Sequence, residues 1–322
     1  MAHTISIDET NTALGTHLTK YGNTWHQTLK QGAEWENMLT RLTCDDAYQG
    51  KEAEVGEILQ PYHPNWTPKH SEEFGGPLNR LGIGKIDLEF TWGKMETFFN
   101  KYMNNWFEAG KPEATHSYPA FVINQLVAPK IIEELNDIAW NGQHVAPDGV
   151  NPGPYLTTFD GYKKKIADQI TLNKIVPIST GALSEATIIE QVRDFCKQLP
   201  VNYRKKPGRI LMSSDWVQSY AEAYEAKYPH QKINTDNPDM PYVRINHYNK
   251  VLVPMNSMIG SDRMILTFPN MDGLIVLSRA GAYSFYPSLR MYVEKRSLCF
   301  AGEFYRCFGF ETWKNFFVND AD

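Results

Sequence analysis

The sequence predicts an α+β protein whose second half contains a separate α/β unit. Three patterns lead there. Residues 85–92 alternate strictly, with Ile86, Leu88, Phe90 and Trp92 against Lys85, Asp87, Glu89 and Thr91, which reads as a half-buried strand. Ile123, Leu126, Val127, Ile131, Leu135 and Ile138 share one face of a long helix over residues 119–140. Beyond residue 183, helical periods and short Val/Ile/Leu runs take turns.

Residues 1–49 are polar with scattered Trp and Leu, and Trp35, Met38, Leu39 and Leu42 outline one short amphipathic helix. So thin a stripe is stable only when docked, so this segment reads as an N-terminal arm. Residues 50–81 carry Pro61, Pro64, Pro68 and Pro77 with Tyr62, Trp66 and Phe74, and show no helical period. A stretch of this length without regular structure is either disordered or a binding limb, and its aromatics favour the limb. The strand over 85–92 closes it, and residues 55–59 are the expected returning partner, giving an extended two-stranded loop over 50–94.

A short helix is expected over 95–106. The long helix follows, with Ser117 as cap, Pro119 in its first turn and a kink at Pro129. It would span roughly 30 Å, enough for the spine of a domain. Asn141-Gly142 ends it, and a Gly/Pro-rich loop runs over 143–154. Lys163, Lys164 and Lys165 form a basic run, read as a solvated face.

In the α/β unit, a helix over 183–199 buries Ile188, Ile189, Val192, Phe195 and Leu199. A strand over 209–212 leads through the cap Ser213-Ser214-Asp215 into a helix ending near Tyr228, with Trp216, Val217, Tyr220 and Tyr224 inward. Short strands follow over 251–253, 264–267 and 274–277. Two alternating strands end the chain, one with Leu289, Met291 and Val293 on a face, the other from Leu298 to Arg306, joined by a turn over 294–297.

Composition narrows the function. The 322 residues carry a formal net charge of −5, which argues against tight sequence-independent binding of nucleic acid but leaves room for weak local contact. Cys44, Cys196, Cys299 and Cys307 form no Cys-x-x-Cys pair, so neither a zinc site nor a disulfide framework is expected. Cys299 and Cys307 could face each other across a hairpin, although two reduced thiols are the simpler reading. No apolar run is long enough for a transmembrane helix and no signal peptide begins the sequence, so folding in a reducing cytoplasm and no membrane contact are expected.

Catalytic patterns are missing. Gly82-Ile83-Gly84-Lys85 fails the phosphate-loop spacing, because Asn79 and Ile86 stand at the required positions, and it fails the dinucleotide fingerprint at Asp87. The histidines are scattered, and Asp45 and Asp46 beside Cys44 would raise that thiol's pKa and blunt it as a nucleophile. Asp236 and Asp239 fit turn chemistry better than a cation site. The expectation is therefore no enzyme, no catalytic residue, no metal and no cofactor.

The order of elements resembles the major capsid proteins of tailed bacteriophages, the Hong Kong ninety-seven type of fold. Three stretches carry the resemblance. Residues 140–150, Trp140-Asn141-Gly142-Gln143 through Pro147-Asp148-Gly149-Val150, are similar to the loop that follows the family's spine helix. Arg209-Ile210-Leu211-Met212-Ser213-Ser214-Asp215-Trp216 resembles the strand-then-helix of its axial domain. Val251-Leu252-Val253-Pro254 and Ile265-Leu266-Thr267 resemble its axial strand pair, and residues 274–310 its closing strands.

The resemblance implies an N-terminal arm (1–49), an extended loop (50–94), a peripheral domain with a long spine helix (95–182), an axial α/β domain (183–285) and return strands of the peripheral domain (286–322). It implies self-assembly into pentamers and hexamers that form an icosahedral head around double-stranded DNA, with weak inner-surface DNA contacts. Portal and decoration proteins are possible partners. The stretch before the loop is short for the scaffolding segment of some relatives, which implies a separate scaffold protein or none. Trp35, Tyr62, Trp66, Phe74 and Arg80 are the expected subunit-interface residues of arm and loop. An encapsulin-type compartment shares this fold and is the alternative, with an unrecognised hydrolase as the reading from another class.

Overall fold

The computed structural model describes residues 29, 32–54, 59–62, 64–66, 73–91, 94, 97, 101, 126–229, 243–245, 247–268, 273–279, 288–294 and 297–321. Most of the expected helix over 95–106, most of the arm and the first part of the long helix lie outside these residues.

The elements follow in chain order. Helix α1 (Glu34–Met38) leads into β1 (Thr40–Cys44), β2 (Ala47–Gln49) and β3 (Glu52–Glu54). Then come β4 (Glu73–Gly75), β5 (Leu78–Arg80), the long β6 (Gly82–Thr91) and helix α2 (Ala128–Asn141). Helices α3 (Tyr162–Thr171), α4 (Ile188–Gln198) and the short α5 (Val201–Arg204) precede β7 (Gly208–Ser213) and α6 (Ser214–Lys227). Strands β8 (Val243–Ile245), β9 (Lys250–Met255), β10 (Ile265–Thr267), β11 (Leu274–Arg279), β12 (Ser288–Glu294), β13 (Ser297–Phe310) and β14 (Phe317–Val318) complete the chain.

The chain divides into two compact units. The first draws on Met1–Asp46, Leu81–Asp160 and Leu277–Cys307, the second on Ala47–Arg80, Gly161–Val276 and Phe308–Asp322.

The first unit is built on a five-stranded sheet in the order β1-β11-β13-β12, with β6 also paired to β13. Strand β6 runs antiparallel to β13 from Thr91 opposite Ser297 to Gly82 opposite Arg306. The alternation over 85–92 matches this strand, and the returning partner expected over 55–59 lies, but for Leu59, outside the described residues. A period of two names a strand and never its neighbour. The β12–β13 hairpin closes at Glu294 opposite Ser297, as the turn over 294–297 implied. Cys299 and Cys307 both lie on β13, so they cannot face each other across a hairpin; all four cysteines are free.

Helix α2 buries Ile131, Leu135, Ile138 and Trp140, the face set by its apolar period. Pro129 occupies its first turn, where the missing N–H costs nothing. Leu126, placed on that face by its spacing, is exposed. In the loop beyond, Asp148 Oδ1 accepts the N–H groups of Val150 and Asn151 at 2.9 Å each, and these bonds hold its carboxyl below the ordinary range.

The second unit contains a five-stranded sheet in the order β14-β10-β7-β9-β8. Strands β7 and β9 are parallel and joined through α6, and the other pairings are antiparallel. Ile210, Leu211 and Met212 are all fully buried, which explains why this strand reads as a continuous apolar run rather than an alternation. Helices α4 and α6 cover it with Ile188, Val192, Phe195, Val217, Tyr220 and Tyr224.

Two details differ from the sequence reading. β9 and β10 are not a pair, because β7 lies between them. Ser213 precedes α6 but makes no side-chain cap bond, and its hydroxyl is buried without a partner among the described residues. Trp216 instead fixes this end, its Nε1 donating to Asp262 Oδ1 at 3.0 Å.

Candidate assembly surface

Strands β2 to β5 form a narrow antiparallel limb. Ala47 to Gln49 pair with Arg80 to Leu78, and Glu52 to Glu54 with Gly75 to Glu73. Each strand has only three residues, and two-stranded ribbons this short are marginal alone. Their stability has to come from the base.

The base is fastened by polar groups. In Leu78-Asn79-Arg80 the middle side chain points inward and is 4% exposed. Asn79 Oδ1 accepts the N–H of Phe310 at 3.1 Å, and Asn79 Nδ2 donates to the Phe310 carbonyl at 2.8 Å and to the Pro77 carbonyl at 3.1 Å. The Tyr48 hydroxyl bonds the Glu311 carboxylate at 2.8 and 2.6 Å. Gly50 N–H donates to the Pro77 carbonyl at 2.8 Å. The backbones approach so closely that a Cβ on Gly76 would lie 1.9 Å from the Gly50 carbonyl oxygen, and one on Gly309 would lie 2.1 Å from Asn79 Oδ1.

The far end is different in character. Leu59, Tyr62 and Trp66 are 88%, 93% and 91% exposed. Exposed large apolar side chains are the kind of surface that partners cover. Arg80 is exposed at the base. Phe74 lies in β4 opposite Ala53.

Trp35 is corrected. It is 1% exposed and stacks on Trp140 of the same chain, ring centroids 5.7 Å apart and planes within 8°. Asn136 of α2 reinforces this docking, accepting the Glu34 N–H at 3.0 Å and donating to the Gly32 carbonyl at 2.9 Å. Glu36 and Arg306, both almost wholly buried, form an ion pair beside it. The thin stripe was rightly read as needing a partner, but the partner lies in its own chain.

Sequence reading missed Asn79, Tyr48, Glu311 and Leu59. The signal for Asn79 was a polar residue between two others in a short strand, which without knowledge of Phe310 looks like a turn residue.

Among the described residues no three His, Cys, Asp or Glu side chains gather as metal ligands, and no helix is long and apolar enough to cross a membrane. Burial, helped by Cys307, Asp45 and Asp46, raises the Cys44 thiol, away from the thiolate a nucleophile needs.

No family model matches the sequence, and no curated protein matches it. Solved structures do match. A chain of the satellite phage P4 procapsid including size determination (Sid) protein superimposes with a TM-score of 0.56 at 9% identity, covering 92% of this chain and 90% of that one. The capsid of a native GTA particle gives 0.51 at 11% identity, covering 89% of each chain. The capsid of the empty GTA particle gives 0.50 at 10% identity over the same shares.

The chain has a phage capsid fold. At such low identity the likeness lies in the path of the backbone, which is why no single sequence motif carried it.

Proposed function

We propose that this protein is the major capsid protein of a tailed bacteriophage and builds an icosahedral head of pentamers and hexamers around double-stranded DNA. The limb of residues 47–80 is the extended loop, helix α2 belongs to the spine of the peripheral domain, and the sheet β14-β10-β7-β9-β8 with α4 and α6 is the axial domain. Tyr62 and Trp66, with Phe74 and Arg80, contact a neighbouring subunit. Scaffold, portal and decoration proteins are further partners, the shell is assembled in the host cytoplasm, and the chain performs no catalysis.

One observation carries this reading: Tyr62 and Trp66 stand almost fully exposed on a limb fastened at its base, in a chain with a capsid fold. Covering one such ring removes about 150–250 Å² from water, worth about 4–6 kcal/mol before the costs of ordering and association. Two rings per subunit, repeated around closed rings of subunits, can hold a shell whose other contacts are weak.

Electron microscopy of the purified full chain in negative stain tests the proposal. Closed shells of uniform diameter are expected. A monomer or small soluble oligomer at every protein and salt concentration would contradict it.

A further inference from the structure

The stretch Tyr203-Arg204-Lys205-Lys206-Pro207-Gly208-Arg209 links α5 to β7 and is strongly basic in a chain whose net charge is −5. Arg204 and Lys205 are exposed, and Lys206 and Arg209 are half-buried. No carboxylate pairs with Arg204, Lys205 or Arg209 among the described residues. Some exposed lysines elsewhere are neutralised by a neighbour: Lys130 pairs with Glu133, Lys197 with Asp194 and Lys227 with Glu190.

The turn is held from beneath by another cation. Lys250 is wholly buried, and its Nζ donates to the carbonyls of Tyr203 at 3.0 Å, Arg204 at 3.2 Å and Tyr248 at 3.4 Å, and to that of Lys206. Carbonyls drawn inward fix the turn, so its basic side chains are presented from a set backbone rather than a loose one. The buried ammonium has carbonyl dipoles around it but no carboxylate partner among the described residues, so it adds to the local positive potential. The turn's own aromatic ring is already occupied: Tyr203 packs on Phe268 and Phe317, its hydroxyl donates to Asn315 Oδ1 at 2.9 Å, and Lys206 lies over its ring. Within residues 203–209 charge is therefore offered without a stacking platform for a base.

We propose that the turn over residues 203–209 binds the phosphate backbone of the enclosed nucleic acid without reading its sequence. This rests on the capsid reading and assigns residues to a contact which that reading leaves general. A phosphodiester chain presents one sign of charge at short, regular spacing and suits a cluster of cations in which Arg204, Lys205 and Arg209 have no carboxylate partner among the described residues. An acidic protein partner is the competing class.

Full-length protein in its unassembled form is titrated into a labelled DNA duplex of about 20 base pairs at about 50 mM and about 200 mM salt. The triple variant Lys205→Ala/Lys206→Ala/Arg209→Ala is expected to bind at least about tenfold more weakly at the lower salt and to reduce the slope of log affinity against log salt by about 2–3. Lys163→Ala/Lys165→Ala, which removes charge elsewhere, is expected to change affinity less than about threefold. Lys205→Glu alone, an exposed change that leaves the Lys250 bonds in place, is expected to weaken binding in the same direction if the triple variant does not fold. Unchanged binding by the turn variants, an equal loss in the control, or binding of polyglutamate in preference to DNA would overturn the proposal. The same preparations are imaged: shells with unaltered DNA binding sink this inference alone, whereas wild-type protein that forms no shells sinks the capsid reading.

Discussion

Asn79 and Phe310 are joined by two hydrogen bonds that run in opposite directions, side-chain amide to main chain, at 3.1 and 2.8 Å. The pair fastens a limb of three-residue strands to the end of β13, the longest strand among the described residues. Replacing Asn79 by Leu leaves the N–H and carbonyl of Phe310 without these partners in a buried setting. The expected loss is about 2–5 kcal/mol of stability, measured by urea denaturation of unassembled subunits. Gly309→Ala, which drives a Cβ into the same amide, is expected to act in the same direction.

Glu36 and Arg306 make a different prediction. Their ion pair is almost wholly buried, so removing one charge strands the other. Glu36→Gln is expected to cost about 3–5 kcal/mol, whereas Glu36→Leu with Arg306→Met recovers most of that loss. A double-mutant cycle by chemical denaturation reads the coupling, and additive losses would contradict it.

Trp35 and Trp66 separate folding from assembly. Trp35→Ala empties a site between α1 and α2 where two indoles stack, and about 3–5 kcal/mol of stability goes with it. Trp66 is exposed, so its loss leaves the melting temperature of the unassembled subunit nearly unchanged. Thermal melts of the two variants side by side check this.

Asp320 supplies a pH dependence. Burial opposes its charge, yet the bonds from Thr180 N–H at 2.8 Å, Ser179 Oγ at 2.8 Å and Gly181 N–H at 2.9 Å prevail and lower its pKa. A carboxyl whose folded pKa is depressed contributes stability that is present above its unfolded pKa of about 4 and is lost as pH falls through the folded value. Amide exchange at residues 179–181 is therefore expected to accelerate selectively below about pH 4, and Asp320→Asn to show reduced protection already at neutral pH. Equal behaviour of the two proteins across that range would contradict the role given to this carboxylate.

Much of the fold was legible because periodicity reports burial. The buried face of α4, the apolar strand Ile210-Leu211-Met212 and the turn at Glu294–Ser297 all followed from patterns within a few residues. What the pattern could not show was long-range. The pairing of Gly82–Thr91 with Ser297–Arg306 is decided by fit across more than two hundred residues, and alternation carries no record of it. Trp35 was misplaced for the same reason, since a lone indole in a polar stretch looks alike whether Trp140 or a neighbouring subunit covers it. Tyr62 and Trp66 were legible as exposed because three prolines between residues 60 and 69 exclude both helix and central strand.

The measurement that bears most directly on the central claim is the assembly of Tyr62→Ala/Trp66→Ala, followed by sedimentation and negative-stain imaging beside the unaltered chain. The capsid reading predicts a variant that folds and melts like the unaltered subunit but sediments as subunits or small rings under conditions where the unaltered chain closes into shells. Shells of normal size and yield from that variant would show that the exposed tip of the limb does not hold the particle together.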